Sequence, residues 1–371
     1  MSGALPAPEA GGWPRVCVVG PLPPPPGGMA NQCEQLVRLL RAEHAPVELV
    51  CSNAPYRPAW LGGLPGVRAL ARLLPYLAAL WRAAGRAQVM HVLANSGWAW
   101  HLFAAPALLV GWLRGTPVIV NYRGGHADAF LASAPGHVRR SLASAAARVT
   151  PSTYLERVFA RHGLQAQVIP NIVDLSRFVR SARRNFGDAP HLLVARHLEP
   201  IYDIPTALRA LCGIRARFAG ATMTVAGVGP ELASLQALAA ELGLAQAVHF
   251  AGRIDNAQMP ALYARSDLAL NPSSVDNMPN SVLEAFASGV PVVSTDAGGV
   301  PDLVSTGVTG LLVPVGDDRA MTQAVCRLLA DGALADRLVQ AAHQEVQRFG
   351  WPRVGQQWRQ AYLRAAGFRT D

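Results

Sequence analysis

The chain has 371 residues, of which 51% are hydrophobic and 15% are charged. It is too long for one small domain and too apolar for a disordered chain, so we expect two domains that each bury a core. All 33 basic residues are arginine. The absence of lysine excludes Schiff-base catalysis and P-loop chemistry, since both need a lysine.

The net charge of +9 lies entirely in the first half of the chain. Residues 1–178 contain 16 arginines against seven acidic residues, whereas residues 179–371 contain 17 of each. A basic half suggests an acidic partner, such as an anionic membrane surface or a phosphorylated substrate. Nucleic acid is not favoured as that partner, because the arginines do not cluster with stacking aromatic side chains.

The distribution of cysteine and apolar residues predicts a cytoplasmic protein. The five cysteines are far apart and form no CxxC pair, which argues against a disulfide scaffold and a metal site. The first 15 residues lack the apolar core of a signal peptide. The longest apolar stretch, residues 102–113, is shorter than the roughly 20 residues that span a bilayer.

Short apolar runs alternate with segments of helical periodicity, such as 230–242 and 317–330. This alternation is typical of parallel sheets covered by helices on both faces, and two such series predict two Rossmann-like domains. The first series of expected strands is 15–20, 47–52, 89–94, 117–122, 148–151 and 167–170. The second series is 191–196, 221–227, 247–252, 268–271, 291–295 and 310–313.

We place the domain boundary between Asn171 and Pro190, where the stretch 176–190 is basic and turn-rich as a hinge should be. The expected domains are then residues 1–178, which are basic, and residues 179–350. A final helix within 351–371 follows the break at Gly350, and we expect it to pack back on the first domain.

Segment 66–86 has the pattern of a basic amphipathic helix. Arg68, Arg72, Arg82 and Arg86 recur at helical spacing between leucine and aromatic residues. Such a helix binds an anionic membrane surface in one interpretation. In the other it faces the protein core and its arginines are solvated, and the sequence does not separate the two.

The segment 263–315 is the most informative part of the sequence. Strand 268–271 is followed by a polar loop, by Pro279 in a first helical turn and by Gly289, which is placed to end that helix. Gly298-Gly299 is expected to open another helix. Helix N-termini at the carboxyl ends of parallel strands favour phosphate.

Asp276 and Glu284 are separated by seven residues in this segment. The whole stretch from Pro272 to Gly316 resembles the signature of glycosyltransferase family 4, which usually has Glu at the first acidic position. The resemblance implies a GT-B fold, in which two Rossmann-like domains face each other across a cleft. It also implies transfer of a sugar from a nucleoside-diphosphate sugar to a hydroxyl, with retention of configuration and without a bound cofactor.

The resemblance assigns most donor contacts to the second domain. Segment 194–203, VARHLEPIYD, is similar to the family segment whose arginine binds the diphosphate, here Arg196. The family normally has Lys and Gly where this chain has Ile201 and Tyr202, so one cation is missing from its usual place. By the same resemblance Arg253 faces the base, Glu284 the ribose and Asp276 the sugar, and we take Asp276 as a catalytic candidate. The remaining residues assigned to the donor site are Asn277, Met278 and Pro279.

In the first domain the resemblance is looser. Gly27 and Gly28, within GPLPPPPGGMANQ, resemble a glycine-rich turn that lets the backbone approach the donor. His126, within RGGHADAF, is at a position where the family often has a histidine that contacts the sugar, and we take it as a catalytic candidate. A simple tight turn and a structural histidine are the alternatives for these two features.

Two other functions fit the same sequence. Ile201, Tyr202 and Asp276 depart from the family pattern, which favours a catalytically weak member that acts as a partner or scaffold. A sugar-nucleotide epimerase shares the two-domain fold. No DxD motif is present, so we expect no metal. The basic first half suggests a lipid-linked acceptor or a bacterial surface glycan, and a peripheral location at the inner face of the membrane.

Overall fold

The computed structural model describes residues 12–24, 27–56, 67–180 and 186–368, and for 67–71 the backbone only. The expected absence of a signal peptide and part of the expected hinge fall on residues outside these ranges. The chain divides into two compact units, Met1–Ile172 with Trp351–Asp371, and Val173–Gly350.

Each unit contains one six-stranded parallel sheet. In the first unit the strands are β1 Val16–Gly20, β2 Val47–Cys51, β3 Val89–Ala94, β4 Val118–Tyr122, β5 Ala147–Thr150 and β6 Gln167–Val168. In the second unit they are β7 His191–Ala195, β8 Thr222–Ala226, β9 Val248–Gly252, β10 Leu268–Asn271, β11 Val292–Thr295 and β12 Leu311–Val313. All twelve strands lie where the apolar runs predict them, because parallel strands are buried on both faces.

The strand order in each sheet reverses at one point. The first sheet has the order β2-β1-β3-β4-β5-β6, and the second has the order β12-β11-β10-β7-β8-β9. The order therefore switches between β1 and β3 in one unit and between β7 and β10 in the other. Such switch points leave a crevice beyond the carboxyl ends of the strands, where open α/β sheets bind ligands.

Helices connect the strands as the periodicity predicts. In the first unit they are α1 Gly28–Ala42, α2 Val67–Ala84, α3 Ala105–Arg114, α4 Ala127–Ala132, α5 Gly136–Ala143 and α6 Thr153–Arg161. In the second unit they are α7 Ile204–Arg215, α8 Leu232–Glu241, α9 Met259–Ala264, α10 Asn280–Ala287, α11 Asp318–Ala330 and α12 Gly332–Glu345. The last helix, α13 Trp351–Ala365, belongs to the first unit.

Helix α13 is joined to the first sheet through His91 of β3. The imidazole of His91 stacks on Trp358, with ring centroids 4.3 Å apart. Its Nδ1 is 2.7 Å from the hydroxyl of Tyr362, and its Nε2 is 3.0 Å from Nδ2 of Asn121 on β4. Burial lowers the pKa of His91 to about 3, so the histidine is neutral and acts here as a hydrogen-bonding group within the core.

The change of unit falls between Ile172 and Val173, within the expected range 171–190 and six residues before the end of the expected first domain at residue 178. The backbone N–H of Val173 donates to the carbonyl of Phe349 at 3.0 Å, and Phe178 packs edge-on against Tyr263. Residues 173–178, which the sequence suggests belong to the first domain, therefore contribute to the core of the second unit.

Helices α2 and α3 lie against each other on the first unit. Tyr76 and Leu80 of α2 are buried in the core, as the core-facing interpretation of segment 66–86 requires. The outer side of the pair nevertheless exposes large apolar side chains beside arginine. We call this the α2–α3 face and define it by Leu74, Trp81, Leu109, Trp112, Leu113, Arg82 and Arg114.

Candidate functional site

The candidate site lies at the switch point of the second sheet. Arg196 follows the last residue of β7 directly, and Asp276 lies in the loop between β10 and α10. Because β7 and β10 are neighbours in the sheet, the two loops emerge side by side. The structure thus brings together an arginine and an aspartate that are 80 residues apart in the chain.

Arg196 and Asp276 form a nearly buried ion pair. Nη2 of Arg196 donates to Oδ2 of Asp276, and the two side chains are only 10% and 9% exposed. Nη1 of Arg196 lies 3.4 Å from the hydroxyl of Ser281. Among the residues that the structure describes, none accepts from the buried Nε of Arg196.

The carboxylate of Asp276 has several further donors. The hydroxyl of Ser273 and the backbone N–H groups of Asn277 and Met278 also donate to it. Burial nevertheless raises the pKa of Asp276 above its ordinary value, while Arg196 and these hydrogen bonds oppose the rise. The carboxylate is therefore held by neighbours that favour its charged form in surroundings that disfavour charge.

Tyr202 covers one face of the Arg196 guanidinium. The guanidinium carbon lies 4.2 Å from the centre of the Tyr202 ring, which is within cation–π distance. The preceding carbonyl, that of Ile201, accepts hydrogen bonds from the backbone N–H of Ser274 at 2.8 Å and from its hydroxyl at 3.0 Å. These bonds tie the turn that carries Tyr202 to the loop that carries Asp276.

Glycines bring neighbouring loops against this pair. Gly298 has φ +56°, and a Cβ there would lie 2.2 Å from the carbonyl oxygen of Asp276. The next residue, Gly299, donates its N–H to that oxygen at 2.8 Å. Gly227 approaches Arg196 as closely, since a Cβ there would lie 1.9 Å from the Arg196 carbonyl oxygen. The expected helix after Gly298-Gly299 is wrong, because residues 300–302 form one 3-10 turn before the chain enters β12.

Glu284 projects from α10 into a second polar group. Its side chain is within hydrogen-bonding reach of the hydroxyl of Tyr263. That hydroxyl lies 3.0 Å from the carbonyl oxygen of Ser281, to which it can donate its one proton. Burial raises the pKa of Glu284 to about 7, although Tyr263 and the positive charges of Arg177 and Arg196 oppose the rise. A carboxyl group with a pKa near neutrality is a frequent feature of functional sites.

The other residues of the second unit that are expected to bind the sugar donor lie in a buried loop, at a helix N-cap and on the surface. Asn277 and Met278 are buried in the loop beside Asp276, and Pro279 takes the N-cap position of α10. As expected, Gly289 follows the end of that helix, with φ +67°. Arg253 is exposed after β9, which is two strands away from β7 in the sheet.

The candidates of the first unit also follow carboxyl ends of strands. Gly27 is the N-cap of α1, and Gly28 is its first residue and is exposed. His126 is the exposed N-cap of the short helix α4. Between β4 and His126, Nη1 of Arg123 donates to Asn171 at 2.8 Å. The roles of Gly27, Gly28 and His126 toward a donor stay predictions.

The described residues contain no cluster of three or more His, Cys, Asp or Glu side chains that could hold a metal ion. Within the same ranges, the helices include none that is long and apolar enough to cross a membrane.

The sequence did not point to Tyr202, Tyr263 or Arg177 as parts of the site. Tyr202 was noted only as a departure from the family pattern, and its ring now covers Arg196. Tyr263 begins the segment 263–315 and Arg177 lies in the turn-rich stretch 176–190, but neither residue has a role in the family resemblance. From the sequence, a tyrosine at helical spacing is interpreted as a core residue. Only the structure shows that its hydroxyl contacts a carboxylate.

Two family models match successive parts of the chain. Residues 26–177 match the model described as Glycosyltransferase Family 4. Residues 189–331 match the model described as Glycosyl transferases group 1. The first match covers most of the first unit, and the second includes every candidate site residue that follows β7.

Curated relatives are similar over part of the chain. A protein named glycogen synthase from Mycobacterium tuberculosis is 33% identical over 199 residues, which cover 53% of this chain and 48% of the relative. The GDP-mannose-dependent alpha-(1-6)-phosphatidylinositol monomannoside mannosyltransferase of Mycolicibacterium smegmatis is also 33% identical over 199 residues, 49% of this chain and 52% of the relative. The chain thus spans about half the length of these curated relatives.

A solved structure is similar over nearly the whole chain. Anabaena HepE, crystallised in complex with UDP and glucose, has a TM-score of 0.72 and 20% sequence identity. The similarity covers 94% of this chain and 99% of HepE. At this identity the likeness shows a shared fold.

Proposed function

Because the chain belongs to the group 1 glycosyltransferases of family 4 and has their GT-B fold, we propose that it transfers a sugar from a nucleoside-diphosphate sugar to a hydroxyl acceptor with retention of configuration. The observation that supports this best is the ion pair between Arg196 and Asp276 at the switch point of the second sheet, where the positive charge of Arg196 also acts on Glu284. Each side chain has the chemistry that one part of such a donor requires.

The proposed reaction breaks the bond between the sugar and the diphosphate. Negative charge grows on the leaving diphosphate as this bond lengthens, and a preorganised cation lowers the barrier by stabilising that charge. Arg196 is the candidate cation, and it keeps its full charge because a guanidinium does not lose its proton in proteins. The N-terminus of α10 has no side-chain cap and supplies further donors.

Glu284 and Asp276 are the proposed acceptors for donor hydroxyls. Glu284 accepts from the ribose, and Asp276 accepts from the transferred sugar. Hydrogen bonds to a charged group contribute about 1.5–3 kcal/mol each, so both contacts are large enough to orient the donor. The exposed Arg253 is the proposed contact to the base.

The proposal does not specify which base and which sugar the donor contains. HepE is described in complex with UDP and glucose, whereas the mycobacterial mannosyltransferase is described as GDP-mannose-dependent. Thermal-shift screening with UDP-, GDP- and ADP-sugars should find one series that stabilises the protein, because a ligand that binds only the native state raises its stability.

Transfer assays with the donor from this screen test the residue assignments. Arg196→Ala and Glu284→Ala should each lower the rate of transfer at least about tenfold, or about 1.4 kcal/mol in the barrier. The matched control is Arg209→Ala, since Arg209 is exposed on α7, and it should leave the rate unchanged. Wild-type rates in both site variants would contradict the proposal.

The same assays separate the two alternative functions. A catalytically weak family member would bind no donor of the panel, or would bind one without transferring its sugar. An epimerase would convert the sugar nucleotide in the absence of any acceptor. Dependence of product formation on an added hydroxyl acceptor supports transfer.

We also propose that the α2–α3 face binds an anionic lipid surface and that the acceptor is lipid-linked. Trp112 is 73% exposed and Leu109 is 55% exposed on one side of α3, and the guanidinium of Arg114 lies 4.9 Å from the ring centre of the exposed Trp81. Residues 49–127 contain seven arginines and no acidic residue. Exposed tryptophan and leucine beside arginine suit a bilayer interface with negative headgroups.

Vesicle sedimentation at low salt tests the membrane proposal. The wild-type protein should sediment with vesicles that contain phosphatidylglycerol and not with pure phosphatidylcholine vesicles. The double variant Trp81→Ser, Trp112→Ser should lose this binding. Trp98→Ser is the matched control, because Trp98 is 78% exposed but lies outside the α2–α3 face. Equal sedimentation of the double variant, or a concentration-dependent dimer that the double variant lacks, would overturn the proposal.

A further inference from the structure

Asp276 occupies the position that an external anion would take beside Arg196. Its carboxylate accepts from the Arg196 guanidinium, from the backbone N–H groups of Asn277 and Met278, and from the hydroxyl of Ser273. A guanidinium combined with successive backbone N–H groups is a donor set that binds phosphate. In this structure the carboxylate of Asp276 accepts hydrogen bonds from these donors.

The guanidinium of Arg196 is largely inaccessible while its ion pair with Asp276 is intact. Its side chain is 10% exposed, Tyr202 covers one face of the guanidinium, and Asp276 takes Nη2. The buried Nε has no acceptor among the described residues. A buried donor without an acceptor is unfavourable, so the closed arrangement leaves part of the hydrogen-bonding capacity of Arg196 for an anion that has yet to bind.

We propose that Asp276 is the resident counter-ion of Arg196, and that the diphosphate of the donor takes Arg196 away from it. This inference rests on the proposed function, because it assumes a nucleoside-diphosphate donor. When the guanidinium turns to the diphosphate, Asp276 keeps its hydrogen bonds from Ser273, Asn277 and Met278. The position that Arg196 leaves then becomes available to a hydroxyl of the transferred sugar.

The transfer of Arg196 from Asp276 to the diphosphate couples binding of the nucleoside diphosphate to binding of the sugar. A nucleoside diphosphate must first compete with an internal carboxylate, and the sugar contact of Asp276 forms only after that competition is won. The backbone of Asp276 is fixed by Gly298 and Gly299, so Arg196 is the partner that moves.

Calorimetric titration of Asp276→Asn tests this exchange. The probe is UDP, GDP or ADP, whichever stabilises the wild-type protein. Removal of the competing charge should tighten binding of the nucleoside diphosphate about tenfold, since hydrogen bonds to charged groups are worth that much. Transfer should fall at least about tenfold in the same variant, because the acceptor for the sugar hydroxyl is weakened.

The matched control is Glu241→Gln, which removes the same charge at the exposed end of α8 and should change neither quantity. If Asp276→Asn unfolds, Asp276→Ser is titrated in its place with the same expectation for binding. Binding that is unchanged or weaker in the folded variant would overturn the exchange and leave the proposed function intact. A wild-type protein that binds none of the three nucleotides would overturn the proposed function itself.

Discussion

In the proposed donor site, Arg196 is the one candidate cation for the diphosphate where the family pattern has two. The usual lysine position holds Ile201, and the centre of the Tyr202 ring lies 4.2 Å from the guanidinium carbon of Arg196. A planar, permanently charged guanidinium suits this arrangement better than an ammonium group, because it stacks on an aromatic face while its edges stay available for hydrogen bonds.

The contribution of Tyr202 is testable by a pair of substitutions. Tyr202→Ala should weaken nucleoside-diphosphate binding about fivefold, since it removes a cation–π contact of about 1 kcal/mol. Tyr202→Phe keeps the ring and should bind as the wild type does. Calorimetry with both variants measures the effect, and equal loss in the two would show that the hydroxyl is the important group.

Glu284 predicts a pH dependence of donor binding. With a pKa of about 7 in the free protein, its carboxyl group is largely protonated below pH 7 and cannot accept from two ribose hydroxyls. Affinity for the nucleotide should therefore rise as the pH increases from 6 to 8. Glu284→Gln should bind more weakly and lose this part of the dependence, whereas the titration of the phosphate groups themselves persists in both proteins. An identical pH profile for both would contradict the assignment.

At this scale the sequence indicates candidate residues but not the partners that they contact. Asp276, Glu284 and Arg196 are recognisable because they stand in a family pattern. The ion pair between Arg196 and Asp276 joins positions 80 residues apart, and no local spacing encodes it. The cover by Tyr202 depends in the same way on how two loops meet.

Helix α13 shows how one element is fixed to a sheet by a buried polar group. His91 is fully buried in β3, and it contacts both Trp358 and Tyr362. Tyr362→Phe removes the hydroxyl that is 2.7 Å from Nδ1 of His91. We expect a loss of about 1 kcal/mol in the free energy of unfolding, measured by urea denaturation.

The same histidine makes stability depend on pH. Its pKa is about 3 in the folded protein against an ordinary value of 6.5, so the unfolded chain takes up a proton that the native protein does not. The contribution of neutral His91 to the free energy of unfolding is fully present above pH 6.5. It is lost progressively as the pH falls from 6.5 to about 3. Unfolding curves of His91→Asn should show a weaker pH dependence in this window than those of the wild-type protein.

The strands and most helices could be predicted because their signals are local. Near-continuous apolar runs mark buried parallel strands, and Gly289 marks the end of α10 through its positive φ. The segment after Gly298-Gly299 fails as a helix because its glycines serve a close approach to Asp276 instead. A glycine pair that opens a helix and a glycine pair that permits a close backbone approach have the same sequence. Only the tertiary contact distinguishes the two.

At the scale of the whole molecule, the chain divides its chemistry between two units. The second unit, residues 173–350, contains 14 arginines and 17 acidic residues and includes Arg196, Asp276 and Glu284. The first unit carries the charge excess and the α2–α3 face. This division fits a protein in which one unit binds a soluble donor and the other approaches an anionic surface.

A crystal structure of the wild-type protein with the nucleoside diphosphate from the thermal-shift screen tests the central claim most directly. We predict that the diphosphate accepts hydrogen bonds from the Arg196 guanidinium, that the ribose hydroxyls lie against Glu284, and that Arg196 has left Asp276. A nucleotide bound elsewhere, with the pair between Arg196 and Asp276 still closed, would contradict the account.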